Sequence, residues 1–408
     1  MPSPRRVRQR LLVSVRRDHR WAAWLEDERV VEFQHEREGE ASSLGNIYLG
    51  RITRVEKGLG AAFVDIGMKA AAFLPLSEAG APAVEGASVA VQIEREGWAG
   101  KGPRVTTRAS LPGVYLILLP ERRGISVSER IVDKNERSRL AALVKSIAEA
   151  GEGFMVRTAA DGAQEDQLRE EAAALRASWQ ELRGRERARP PAVLHRQPPI
   201  DLRLLRDHGL QFDEVLYDRR EAAAAAMTSF RSALPTLATR IAFRRDVEWT
   251  PAPVEILDQI EDALQPSIDL AAGGGLVIEP TEALTVIDVN ALSAGDAQAD
   301  VASERVQLRT NLAAADEVAR QIRLRNIGGI IVVDFIDLKD GAHRRQVVDR
   351  LRAATANDSA PVWVGAMSRL GLVELTRKRR GPTLAEIMTR PCTACEGTGR
   401  VRQPMDRA

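Results

Sequence analysis

At about 100–200 residues per domain, a chain of 408 residues has room for two to four units. Its 59 basic and 57 acidic residues leave a net charge of +2, so no global field draws it to polyanions, and a nucleic-acid site must be a local patch. Two cysteines exclude a disulfide framework, and no apolar run approaches the roughly 18 residues of a membrane span.

At the N-terminus, Arg5-Arg6 precedes a short apolar run at Leu11-Leu12-Val13. Arg16-Arg17-Asp18 cuts that run before it reaches the length of a signal peptide, so a cytoplasmic address is expected. Residues 45–76 alternate short β-rich runs with glycine turns, the pattern of a small antiparallel barrel, which we place at 39–113. Beyond it the pattern predicts a strand at 114–119, a helix at 135–150, a strand at 153–158 and a long helix at 163–183. Gly184 would end that helix, and the basic run 185–189 with Pro190-Pro191 reads as a linker. Residues 199–270 read as helix, strand (214–217), helix and further strands. From 273 to 380, β and α alternate: strands at 284–290, 330–336 and 362–367, helices at 301–326 with Asp300 as cap and at 342–356.

The apolar run Ile330–Ile336 suits a strand buried on both faces, yet it contains Asp334. A buried unpaired carboxylate costs several kcal/mol, so Asp334 needs a cation, strong donors or a strand end facing water. The run Thr285–Asn290 repeats the theme, with Asp288 and Asn290 two residues apart and therefore on one strand face. If the two strands are parallel neighbours, both acids sit near carboxyl ends, where two carboxylates, waters and a phosphate oxygen suit Mg²⁺. Either aspartate alone could equally cap the following turn; the pair with Asn290 favours a metal. Asp337 falls on the opposite face and reads as a cap.

Cys392 and Cys395 form a C-x-x-C unit, half of a four-ligand zinc site, and the chain holds no other cysteine. A homodimer would complete the site; a metal-free surface pair is the alternative. In the barrel, Phe63 and Phe73 are candidate base-stacking rings, although a single Phe is more often core, and Lys101 is a candidate phosphate contact. Arg157-Thr158 ends a strand and would offer a guanidinium fork and a hydroxyl to a phosphate. The run Arg377–Arg380 reads as a solvated face or a backbone contact.

These segments, in this order, resemble the ribonuclease E/G family. The resemblance rests on NLAAADEVARQIRLRNIGGIIVVDFIDL (311–338), VIDVN (286–290), PCTACEGTGR (391–400), GNIYLGRITRV and AAFVDIG, and it covers nearly the whole chain. It implies an α/β (α+β multidomain) architecture. A ribonuclease H-like fold (1–38 and 199–272) would carry an inserted OB-type β-barrel (39–113) and a 5′-sensor region (114–198). A DNase I-like α/β catalytic subdomain (273–385) and a zinc-link with tail (386–408) would follow. It further implies a Mg²⁺-dependent endoribonuclease of single-stranded, A/U-rich RNA in RNA processing and decay, stimulated by a 5′-monophosphate and leaving 5′-phosphate and 3′-hydroxyl ends. Asp288 and Asp334 would hold Mg²⁺, and Asn290 would orient the scissile phosphate. Phe63, Phe73 and Lys101 would contact RNA, and Arg157 and Thr158 would sense the 5′-phosphate. Cys392 and Cys395 would share Zn²⁺ across a homodimer, with a tetramer left open. A non-catalytic dimeric RNA-binding protein is the alternative. The chain departs from the family pattern at Ala291, in the loop 294–302 and at Ala313, and a short, catalytic-only form without a long degradosome scaffold is expected.

Overall fold

The β-branched and aromatic runs become strands because their alternating side chains can bury one face. The computed structural model describes residues 7–37, 42–97, 101–244, 255–291, 304–379 and 381–395, with 397 and 399. The expected Asp300 cap, the loop 294–302 and Arg380 lie outside the described residues. The chain divides into two compact units, one of residues 1–14, 21–35 and 245–408, the other of 15–20 and 36–244. Among the described residues no helix is long and apolar enough to cross a membrane.

Strands β1 (Gln9–Val15), β2 (His19–Glu26) and β3 (Arg29–Arg37) lie side by side in that order. The barrel follows: β4 (Ile47–Glu56), β5 (Ala61–Asp65), β6 (Ala72–Pro75), β7 (Ser88–Arg95) and β8 (Arg104–Thr106). Pairing runs β4–β5–β6–β8–β7 and returns to β4, so five strands close on themselves. Tyr48, Ile52, Ala62, Val64, Leu74, Val91 and Ile93 fill it.

Next come β9 (Leu111–Pro112), β10 (Leu116–Leu119), β11 (Gly124–Val127), α1 (Lys134–Ile147), β12 (Gly153–Val156) and α2 (Glu165–Arg185). β10 pairs antiparallel with β9 and β12, and β11 runs parallel to β12. Asp133 caps α1 by accepting from the amide of Asn135 at 2.8 Å. α2 continues through Gly184 to Arg185, because Leu182 is buried and holds the last turn down, so the glycine does not end it. The expected linker also differs: after Pro191 the chain forms β13 (Ala192–His195), which pairs with β4 and extends the barrel sheet. α3 (Ile200–His208), β14 (Glu214–Tyr217), α4 (Arg220–Phe230), α5 (Pro235–Ala238) and β15 (Ile241–Phe243) complete this unit, with β14 and β15 parallel.

In the other unit, α6 (Glu255–Asp262) leads to β16 (Ser267–Asp269), β17 (Gly275–Pro280), β18 (Leu284–Asn290), α7 (Glu304–Leu324), β19 (Gly329–Asp334), α8 (Gly341–Thr355), β20 (Val362–Met367), β21 (Leu372–Arg377) and α9 (Leu384–Met388). The sheet order is β16-β17-β18-β19-β21-β20. Only β18 and β19 pair in parallel; the β17, β20 and β21 neighbours are antiparallel, so the simple β/α alternation gives way to a mixed sheet. Ile287, Val289, Ile331, Val333, Val373 and Leu375 face α7 and α8, contributing about 1.5–3 kcal/mol each on burial. The opposite face is open: Ile330 is 51% exposed, and Val286, Glu374 and Thr376 are exposed too. β19 is therefore not buried on both faces, which corrects the reading from its composition.

α7 also holds β2 and β3. Arg323, stacked 4.1 Å over Trp24, donates to Glu32 at 2.9 Å, and Arg320 donates to the carbonyl of Val30 at 2.8 Å.

Candidate active site and nucleic-acid interface

On β18, Thr285, Ile287 and Val289 turn to the core, which sends Val286, Asp288 and Asn290 to the open face. On β19, Ile331 and Val333 turn inward and Asp334, the last residue of the strand, turns outward. The parallel register sets Asp288 opposite Asp334. Asn290 Nδ2 donates to Asp288 Oδ2 at 2.9 Å, so these two side chains and Asp334 share one exposed surface near the carboxyl ends of adjoining strands. Asp334 thus meets the strand-end condition, in water rather than in the core.

No basic side chain among the described residues pairs with Asp288 or Asp334. Partial burial, then the charge of Asp288 and then that of Asp337 push the Asp334 carboxyl above the usual aspartate range. Asp337 therefore does not stand apart from the site. β19 stops at Asp334, strand alternation no longer applies, and the helix α8 is capped instead by Asp340, which accepts from the amide of Ala342 at 2.7 Å. Two like-charged carboxylates without a cationic partner are a donor set that fits a divalent ion. No group of three or more His, Cys, Asp or Glu among the described residues is arranged to hold a metal, so such an ion would keep most of its waters, as Mg²⁺ does.

Two supports escaped the sequence reading. Asn311 of α7 bonds both sides of the Ile336 backbone, and Glu304 accepts from the Asp340 amide at 2.8 Å and meets His343 Nδ1 at 2.9 Å.

In the barrel, Phe63 and Phe73 are direct partners across β5 and β6, with ring centroids 6.1 Å apart at 80°. Both alternate away from the barrel core and are half-buried. The Arg54 guanidinium lies 4.6 Å from the Phe63 centroid, and Arg104 pairs in register with Phe73. Lys101 is exposed in the segment whose next residue, Gly102, presses on the backbone of Ala71. Two rings on a closed barrel, with Arg54 and Arg104 beside them and Lys101 exposed a short way before Arg104 in the chain, make a surface that can stack bases and meet phosphates. Arg54 was missed because β4 shifts register between Ile52 and Arg54, which breaks the period-two pattern.

Arg157 follows β12 and Thr158 opens a single turn. Arg157 donates to the carbonyl of Gly113 and, at 2.7 Å, to Asp207. Burial alone would raise the Asp207 carboxyl, but Arg206 and Arg157 outweigh it and hold it at about 2. Thr158 Oγ1 lies 2.9 Å from Ser128 Oγ. Beside them, Glu171 accepts from the amides of Val114, Tyr115 and Leu116 at 2.5, 2.8 and 2.7 Å, and a methyl on Gly113 would lie 2.6 Å from that carboxylate. Arg157 is thus held in a fixed plane, half-buried, with its neighbour Thr158 exposed.

Cys392 is exposed and Cys395 half-buried. The amides of Cys395 and Ala394 donate to the Cys392 sulfur and lower its pKa below the ordinary thiol value. Amide donors aimed at a cysteine sulfur fit a metal-binding knuckle. Arg377 does not belong to a solvated basic face. It is 3% exposed and forms a two-pronged ion pair with Asp358 at 2.9 and 3.0 Å.

The family model for ribonuclease E/G matches residues 110–380. Ribonuclease E of Haemophilus influenzae is 34% identical, over 97% of this chain and 44% of that protein. Ribonuclease G of the same organism is 32% identical, over 96% of this chain and 84% of its own length. Ribonuclease G of Escherichia coli K12 is 33% identical, again over 96% and 84%. The chain therefore spans less than half of the first relative and most of the other two. Together with the closed barrel and the paired aspartates, this extent of similarity shows that the chain belongs to the ribonuclease E/G family of enzymes.

Proposed function

We propose that this protein is a Mg²⁺-dependent endoribonuclease that cleaves single-stranded, A/U-rich RNA during RNA processing and decay in the cytoplasm. The observation that carries this reading is the register of Asp288 against Asp334, with Asn290 on the same open face. Asp288 and Asp334 would hold Mg²⁺, which when bound would activate water and stabilise charge on the phosphate. Asn290, free to donate with its second amide hydrogen, would orient the scissile phosphate. Phe63, Phe73 and Lys101 would grip the strand. The reading includes the division into ribonuclease H-like, sensor, DNase I-like and zinc-link parts. The test is a fluorescent 5′-monophosphorylated oligonucleotide with Mg²⁺ or with EDTA. Cleavage that needs Mg²⁺ and leaves 5′-phosphate and 3′-hydroxyl ends is expected; binding without any cleavage would leave a non-catalytic RNA-binding protein.

Arg157 and Thr158 would read the 5′-monophosphate. Arg157→Ala should slow a 5′-monophosphorylated substrate by about tenfold, the worth of one charge-assisted bond near 1.4 kcal/mol, and leave a 5′-hydroxyl substrate unchanged. Equal slowing of both would assign Arg157 to folding through Asp207 and Gly113.

Cys392 and Cys395 would supply half of a tetrahedral zinc site, completed by a second copy of the chain, so the working unit would be a homodimer. One zinc per two chains is expected by elemental analysis. Cys392→Ser should release zinc and shift the mass in light scattering to the monomer; one zinc per chain would refute the shared site.

A further inference from the structure

Asp334 ends β19, and beyond it the ladder with the β21 side continues only through the Phe335 amide, which donates to the carbonyl of Gly371 at 3.4 Å. Even so, the next segment, Phe335 to Asp340, is tied down at several points. Asn311, fully buried on α7, donates from Nδ2 to the carbonyl of Ile336 at 2.7 Å and accepts from the amide of Ile336 at 3.0 Å. A primary amide that bonds both polar groups of one residue replaces a strand neighbour at that residue. Ile336 lies between Asp334 and Asp337. From the other side the chain passes Gly371, whose φ is +82°. A methyl there would sit 3.0 Å from the carbonyl of Phe335, 3.3 Å from Asp337 Oδ1 and 3.9 Å from Asp334 Oδ1. The two carboxylates therefore lie around one point, with Asn311 and Gly371 setting the backbone that carries them.

We infer that Asn311 is a positioning residue of the active site: its side chain, acting through the Ile336 backbone, sets where Asp334 and Asp337 present their carboxylates. This rests on the proposed role of Asp334. The hydrophobic core does not require an amide at position 311, since Ala314, Ala315 and Val318 of the same helix pack with carbon alone. The amide is there for the loop.

The test uses the whole chain with three variants. Asn311→Leu keeps volume and removes both bonds. Gly371→Ala presses on the same loop from its other side and tests the idea independently if the buried change unfolds the protein. Each should lower kcat by about 100-fold, the effect of a displacement near 1 Å, with KM for RNA within about twofold of wild type. Mn²⁺ binding, read from its electron paramagnetic resonance signal without RNA, should weaken by about tenfold, as for other residues that orient metal ligands. A purely structural role would lower the melting temperature without the split between kcat and KM or the change in Mn²⁺ binding. If the folded variants keep wild-type kcat and Mn²⁺ affinity, the inference is wrong. Asp334→Asn in the same assays separates the two claims. Wild-type cleavage by that variant would overturn the site itself, whereas its inactivity beside a fully active Asn311→Leu would overturn only the positioning role.

Discussion

Asp334→Asn should remove cleavage by about three orders of magnitude while RNA remains bound. The side chain is exposed at the end of β19, so the amide costs little in packing, and the fold should survive. What is lost is one of two carboxylates that the register sets side by side across β18 and β19. If a metal there supplies several kcal/mol of charge stabilisation, loss of about 4 kcal/mol corresponds to about 10³ in rate. Asp288→Asn should behave alike. It also removes the acceptor charge for Asn290, so the two effects should not add, because both variants disable one site. The proton on Asp334 competes with any cation, and burial, Asp288 and Asp337 hold that proton to higher pH than in an ordinary aspartate. At limiting Mg²⁺ the rate should therefore fall on acidification above the ordinary aspartate range, and Asp337→Asn should move that fall to lower pH. A rate for Asp334→Asn within about tenfold of wild type, measured with the same oligonucleotide and matched binding, would refute the assignment.

How much of this was readable from the residues depends on what each pattern encodes. Strand β18 was legible because one face is buried: Thr285, Ile287 and Val289 alternate cleanly with Val286, Asp288 and Asn290. β19 misled because Ile330 and Val332 are apolar although they lie on the open face, so composition overstated its burial. The parallel pairing of β18 and β19 entered the sequence reading only as a condition, and the antiparallel neighbours β17 and β21 did not enter it, since a short apolar run does not say which way it runs. Phe63 and Phe73 stood out as rare aromatics, but the bulge that brings Arg54 over Phe63 has no sequence signature. Asp207 and Asn311 were invisible for another reason. Their partners lie 50 and 25 residues away, and the hydrogen bonds form only when helices pack on strands or loops whose spacing along the chain is arbitrary. In the run Arg377–Arg380, Lys378 and Arg379 are exposed as charge clustering predicts, but Asp358 draws Arg377 inside for the same reason.

That buried pair leads to the largest expected loss of stability. Arg377 and Asp358 have side chains 2% exposed, and Arg377 also donates to Asn326 Oδ1 and to the carbonyl of Ile327, both at 3.0 Å. Arg377→Ala would leave Asp358 as a buried charge and strip two further acceptors, so unfolding should become easier by about 3–5 kcal/mol. Urea unfolding followed by tryptophan fluorescence measures this. Replacing both partners, Arg377→Met with Asp358→Leu, removes the stranded charge and should recover part of the loss. Recovery should be incomplete, because Asn326 and the Ile327 carbonyl still lack their donor. The site should respond less than the fold. Asn326 and Ile327 precede β19 at the end opposite Asp334, so at temperatures where Arg377→Ala is folded its kcat should stay within about twofold of wild type, consistent with the near-additivity of distant sites. A stability change below about 1 kcal/mol would mean that the pair behaves like a solvent-screened surface bridge, contrary to its burial.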